Sequence, residues 1–215
     1  MDSRSGRSSL NFETLPRKFY DRSTLDVARE LIGKLLVRRL EGEWLAGRIV
    51  ETEAYIGEGD PACHAAKGLT PRTRVMYGPP GFSYVYFTYG MYFMLNVVCE
   101  KKGFPAAVLI RAVEPVVGLH AMRRRRNLER DRDLTNGPGK LCIAFGITTD
   151  LNALDVTRGR SPLMLCEGEE MGPVAWSSRV GIREGREKMW RCFVPGNPWV
   201  SPVRMERGAP PGFQR

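Results

Sequence analysis

The sequence predicts a mixed α/β (α+β) fold in a single domain: a curved antiparallel β-sheet with peripheral helices and a protruding β-hairpin. Three observations carry this. Segments rich in Val, Ile, Tyr, Phe and Thr recur along the chain, bounded by Gly, Pro, Asn and Asp, which is the pattern of strands and turns. Helical periodicity is confined to short stretches between them. No repeat and no linker divides the 215 residues, a length that one core can serve.

Residues 1–14 begin Met1-Asp2-Ser3-Arg4-Ser5-Gly6-Arg7 and can bury little, so they read as a disordered basic tail. The folded domain is expected over 15–205, with a C-terminal tail over 206–215. Ser23-Thr24-Leu25-Asp26 opens a helix with Ser23 as its cap, a stripe of Leu25, Ala28, Leu31 and Ile32, and Gly33 as its stop. Lys34–Leu40 and Glu43–Glu53 read as strands. Period-two alternation puts Glu51, Glu53 and Tyr55 on one face, about 7 Å between neighbours. Carboxylates at a strand end are commonly solvated or paired with arginine, but a tyrosine two residues on and His64 beyond it single out Glu53 for chemistry.

From Gly57 to Pro80, glycines and prolines break any regular period and make a long loop, the kind that carries function or is disordered. Within it, His64, Lys67, Arg72, Thr73 and Arg74 can contact phosphates, although His64 taken alone reads first as a surface loop histidine. Tyr84 to Val98 is the hairpin, turning at Gly90 and carrying a lone asparagine, Asn96. Alternation places Tyr84, Tyr86 and Thr88 on one face and Val85, Phe87 and Tyr89 on the other. Tyr89 falls at the tip, where a ring can wedge against a stacked base; the same rings also suit a core.

Ala106–Val113 is a nearly continuous apolar strand interrupted by Arg111, which needs a carboxylate partner such as Glu53 if buried. Pro115 is expected to open a helix with Leu119 and Met122 inward, ending in Arg123–Arg126, either a solvated helix end or a phosphate contact. Asn136-Gly137-Pro138-Gly139-Lys140 enters another helix. Its free N–H groups and Lys140 can hold a phosphate, although the spacing is not that of a P-loop, and a plain helix start reads as well. Ser161–Cys166 and Trp190–Val194 are strands, with Arg179-Val180-Gly181-Ile182-Arg183 between them and a turn at Pro195–Trp199.

Thirty-three Lys and Arg against 24 Asp and Glu leave a formal charge of +9, which favours a polyanionic partner. Five cysteines at irregular spacing, with no C-x-x-C pair and two histidines, argue against zinc, iron–sulfur and disulfide frameworks, so no metal or cofactor is expected. No run approaches the roughly 20 apolar residues of a membrane span. A soluble, cytoplasmic protein is expected, nucleoid-associated or nuclear according to its host.

Several blocks, taken together, resemble one family: Val50-Glu51-Thr52-Glu53-Ala54-Tyr55, Asp60-Pro61-Ala62-Cys63-His64, Tyr84 to Met91, Leu95-Asn96, Ile110 to Pro115, Gly137 to Cys142, and Asn197-Pro198-Trp199-Val200. In this order, from about Leu15 to Ser201, the chain is similar to the alkyladenine (3-methyladenine) DNA glycosylases. The resemblance implies a monofunctional, monomeric enzyme of base excision repair acting on duplex DNA with damaged purines. It implies Glu53 as the base that activates water, helped by Arg111 and the backbone carbonyl of Val180. Tyr55, His64 and Tyr86 match the residues that hold the flipped base, Asn96 the residue that crowds the guanine amino group, and Tyr89 the wedge. Arg72, Arg74 and Lys140 are expected on DNA. Cys63 stands where a serine is expected.

Residue chemistry points the same way. Cleaving an N-glycosidic bond builds oxocarbenium character, which a carboxylate stabilises while it deprotonates water. Bases alkylated at N3 or N7 are cationic, and electron-rich rings hold them. A non-catalytic nucleic-acid-binding module also explains the charge and the hairpin but leaves Glu53 and Arg111 without a task. An inverting carbohydrate hydrolase using Glu51 and Glu53 fits their spacing, against the grain of the positive charge.

Overall fold

One long strand, β2 (Glu43–Ile56), runs through the middle of the computed structural model, which describes residues 12–202. The expected C-terminal tail, 206–215, lies outside the described residues, as does the expected N-terminal tail up to residue 11; its inner end is not disordered, since Phe12 packs on Trp44 and Thr14 bridges Cys166. Trp44, Leu45, Ile49, Val50 and Thr52 give β2 its strand character; it is buried over most of its length and hydrogen-bonded along both edges. On one edge it pairs throughout with β5 (Ala106–Val117). On the other, β1 (Leu35–Leu40) pairs with its first half, and β8 (Arg191–Phe193) takes over at Glu51–Glu53.

All pairings are antiparallel, in the order β3-β4-β5-β2-β1-β6, with β7 joined through β8. Here β3 is Ser83–Thr88, β4 Tyr92–Val98, β6 Leu163–Cys166 and β7 Ala175–Ser177. The curled eight-stranded sheet with helices around it is the mixed α/β architecture expected. The three-residue β7 was not legible in the sequence.

Helices α1 (Arg17–Tyr20), α2 (Thr24–Glu30), α3 (Leu119–Arg126) and α4 (Pro138–Ala144) cover the sheet. Val27, Ala28 and Leu31 bury against it, and Thr52 Oγ1 donates to the Ala28 carbonyl at 2.8 Å. Ser23 makes no side-chain cap; Glu100 caps instead, its Oε1 accepting from the Thr24 N–H at 3.0 Å and hydroxyl at 2.8 Å. A smaller apolar cluster of Cys63, Ala65, Met76, Tyr84, Val98 and Ala107 anchors the 57–80 segment, which folds into 3-10 turns at His64–Lys67 and Arg74–Tyr77.

One further expectation is corrected. Pro115 opens no helix: it lies within β5 opposite Gly47, at a register shift where its missing N–H breaks no regular ladder. The helix begins after Gly118, whose φ of +83° turns the chain; a Cβ there would meet Leu45 Cδ2 at 2.5 Å. The four arginines are neither free nor bare. Arg123 forks onto Asp131 at 2.8 Å, Arg124 and Arg125 pair with Glu43 and Glu41, and Arg126 reaches the Asp133 carbonyl.

Candidate active site

The β2–β5 ladder is irregular around Glu51, shifting register between Ile49 and Glu51 and again between Glu51 and Thr52, so that Val50 and Arg111 fall outside the pairing. Bulges of this kind re-aim side chains. Here Arg111 meets both acids: its Nε donates to Glu51 Oε1 at 2.8 Å, and its Nη1 lies 3.2 Å from Glu53 Oε1. The alternation along β2 thus sets Glu51, Glu53 and Tyr55 on a common side, as expected.

The two carboxylates, both fully buried, have different surroundings. Glu51 is enclosed by Arg111, by Arg191 Nε at 2.6 Å, and by the N–H and hydroxyl of Ser201, each at 2.7 Å. Burial alone would raise its pKa, but the two arginines and the Ser201 hydrogen bonds outweigh it and hold the carboxyl below its ordinary range. Glu51 is an anchor, an unsuitable partner for an inverting carboxylate pair. Glu53 is held more lightly: Tyr55 Oη donates to Oε2 at 2.8 Å and the Val180 N–H to Oε1 at 2.7 Å. A carboxylate offers about four acceptor positions; Val180 and Arg111 meet Oε1 and Tyr55 meets Oε2, so one is left on Oε2. Val180 meets the carboxylate through its N–H, a contact separate from the one expected between its carbonyl and the water.

Tyr55, Arg111 and Val180, the three partners of Glu53, line a cavity of about 190 Å³. Tyr84, Tyr86, His64, Asn96 and Tyr89 continue its wall. The His64 ring meets Tyr86 edge-on at 4.5 Å, and its Nδ1 is 2.9 Å from Tyr84 Oη. Burial, then Arg72 and Lys67, push the His64 pKa down to about 4, so the ring is neutral near pH 7. Asn96 Nδ2 donates to the Tyr84 carbonyl at 3.0 Å, which fixes the amide.

Tyr89 departs from the face that strand alternation assigned to it. With φ of +53°, beside Gly90 at +68°, it forms a two-residue turn closed by the Met91 N–H on the Thr88 carbonyl, and this swings its ring to the cavity side. The ring is 75 % exposed, next to exposed Phe87 and Met91. Arg72 and Arg74 are exposed on the 57–80 segment, whereas Lys140 is occupied, its Nζ donating to Asn136 Oδ1 at 2.7 Å. Gly139 serves packing: a Cβ there would stand 2.7 Å from the Tyr92 ring, so α4 can lie close on β4.

Sequence reasoning missed a buried support behind this wall. Arg179 forks onto Asp60 at 2.5 and 2.7 Å, donates to the Ala54 carbonyl at 3.0 Å, and stacks between the rings of Tyr55 and Trp190. It braces Tyr55 from behind and fixes the backbone that brings the Val180 N–H to Glu53. Its only sequence signal was a position next to Val180. All five cysteines are buried thiols, and burial raises the Cys63 pKa to about 11, which leaves it a weak nucleophile.

Comparison with known proteins agrees with this geometry. A family model described as methylpurine-DNA glycosylase (MPG) matches residues 18–198. A protein of Methanocella arvoryzae named "Putative 3-methyladenine DNA glycosylase" is 50 % identical, over 87 % of this chain and 95 % of its own length. Proteins of the same name from Chlorobaculum parvum, 45 % identical over 91 % and 93 %, and Salinibacter ruber, 46 % identical over 89 % and 98 %, are similar along the same span. A buried, arginine-held glutamate behind an aromatic cavity, on a chain matched nearly end to end, leads to one conclusion: this protein belongs to the methylpurine-DNA glycosylase family, hydrolases of N-glycosyl bonds that act in DNA repair.

Proposed function

We propose that this protein, acting as a monomer, flips alkylated or deaminated purines out of duplex DNA and hydrolyses their N-glycosidic bonds with water activated by Glu53. Candidate substrates are 3-methyladenine, 7-methylguanine, hypoxanthine and ethenoadenine. The observation that carries the reading is the contrast between two buried carboxylates, Glu51 saturated by two arginines and Ser201, and Glu53 held by three groups that line the cavity.

In this mechanism the flipped base lies against Tyr55, Tyr86 and His64. The C1′–N bond breaks with its electron pair leaving on the base, the water oxygen bonds to C1′, and the water proton passes to Glu53. Arg111, its Nη1 3.2 Å from Glu53 Oε1, orients the carboxylate toward the water it activates. Asn96, fixed by its bond to Tyr84, stands where an exocyclic amino group of guanine would be crowded. Tyr89 fills the gap in the duplex and so offsets part of the few kcal/mol that flipping costs.

The test is single-turnover release of base from duplexes carrying hypoxanthine or ethenoadenine and from methylated DNA, with wild type and Glu53→Gln. Loss of a general base is expected to slow release by about 10²–10⁴-fold with duplex binding retained. Gln suits the site sterically, because Tyr55 Oη can accept as well as donate. Tight binding by wild type with no release from any substrate would replace this reading with a binding module.

A further inference from the structure

Both aromatic walls of the cavity carry an arginine. Behind Tyr55 the guanidinium of Arg179 lies 4.7 Å from the ring centre, and Asp60 neutralises it. Over Tyr86 the guanidinium of Arg72 lies 4.8 Å from the ring centre, and no carboxylate among the described residues is within ion-pair distance of it. Arg72 does not line the central cavity. It lines a second, shallower one, with Phe87, Thr149 and Asn152, and Tyr86 borders both. Its Nη2 is also 3.4 Å from His64 Nε2. Tyr86 therefore borders the base site and also carries, 4.8 Å from its ring centre, a guanidinium with no carboxylate partner among the described residues.

This charge matters to the leaving base. Building on the function proposed above, a base stacked on the face of Tyr86 turned away from the guanidinium would sit roughly 8 Å from it, once a van der Waals gap of about 3.5 Å is added. Measured from the unflipped duplex, two kinds of base respond differently. A base alkylated at N3 or N7 enters positive and departs neutral, so the cation repels it while bound and releases that repulsion as the bond breaks, with little net effect on its rate. A neutral base such as hypoxanthine takes the pair of the breaking C1′–N bond as developing negative charge, which a nearby cation stabilises before any proton arrives. His64 does not replace that cation, being uncharged near pH 7.

We propose that Arg72 is a specificity-determining residue that tunes the site through the Tyr86 ring toward neutral damaged purines in preference to cationic ones. It does so by the charge it places at that ring rather than by contact with a phosphate. Across such a distance at a partly exposed position, the difference between the two classes should be about three- to tenfold and should shrink with salt.

The experiment measures single-turnover excision of hypoxanthine and of 7-methylguanine, each in the same duplex context, by wild type, Arg72→Gln and Arg72→Lys at low and high salt. Arg72→Gln is expected to lower the hypoxanthine to 7-methylguanine rate ratio by about three- to tenfold at low salt and less at high salt. Arg72→Lys, which keeps the charge, should restore most of the ratio. Equal slowing on both substrates would identify a phosphate or folding role and overturn the inference, as would a ratio that Lys does not rescue. Failure of wild type to excise either base would instead overturn the functional reading beneath it, and the two failures are told apart by the wild-type arm alone.

Discussion

Glu51 does no chemistry in this arrangement, yet the site depends on it. It is the shared counter-ion of Arg111 and Arg191, and its removal leaves two buried guanidinium groups without it. Glu51→Gln is expected to cost about 3–5 kcal/mol in urea unfolding, the usual cost of breaking a buried pair from one side. A loss under 1 kcal/mol would show that the arginines find other acceptors. His64 gives a pH signature. Its folded pKa near 4 lies below its ordinary 6.5, so the unfolded chain binds the proton first. Its neutral-state contribution is complete above about pH 6.5 and erodes as the pH falls from there toward 4. Between pH 7 and pH 5, wild type should lose more melting temperature than His64→Gln, and equal losses would refute the assignment. At this scale the sequence was informative where periodicity reached: Glu53 beside Tyr55, and Arg111 seeking an acid. The Arg179–Asp60 pair was invisible because its members stand 119 residues apart, and no local rule joins them.

On the function proposed above, the hairpin joins stability to function in opposite senses. Tyr89 holds a left-handed φ of +53° that a bulky residue adopts at a cost, and it buries little of its ring in return. Asparagine favours this conformation before glycine in a two-residue turn. Tyr89→Asn should therefore stabilise the protein by about 1 kcal/mol while slowing excision from stable base pairs. It should slow excision less from mismatched pairs, which flip more easily. A variant both destabilised and fully active would contradict the strained-wedge account. Elements were legible where aromatic and β-branched residues cluster, as in β3 and β4. Pro115 misled because its local signal as a helix opener lost to pairing between β5 and β2, and Ser23 because Glu100, distant in sequence, took over the cap.

For the molecule as a whole, a charge of +9 overstates what DNA can use. Arg123, Arg124 and Arg125 are already paired with Asp131, Glu43 and Glu41, so the basic run on α3 is largely spoken for. Duplex affinity should still fall with salt, at a log–log slope of about −0.9 per phosphate neutralised, but Arg124→Gln with Arg125→Gln should leave that slope unchanged. A shallower slope in the double variant would place α3 on the DNA. The overall architecture could be read from composition and turn signals because one sheet with short helices follows from them. The order in which strands meet could not, since β8 reaches β2 from the far end of the chain. That long reach has a consequence for how the protein comes into being. Arg191 and Ser201 complete the shell around Glu51, and they are among the last described residues to leave the ribosome. At about 5–20 residues per second, most of the sheet can form while Arg111 and Glu51 still wait for them. A nascent chain can thus carry most of the sheet before Glu51, the anchor of Arg111, is enclosed, so the arginine beside Glu53 gains its full set of partners only at the end of the domain.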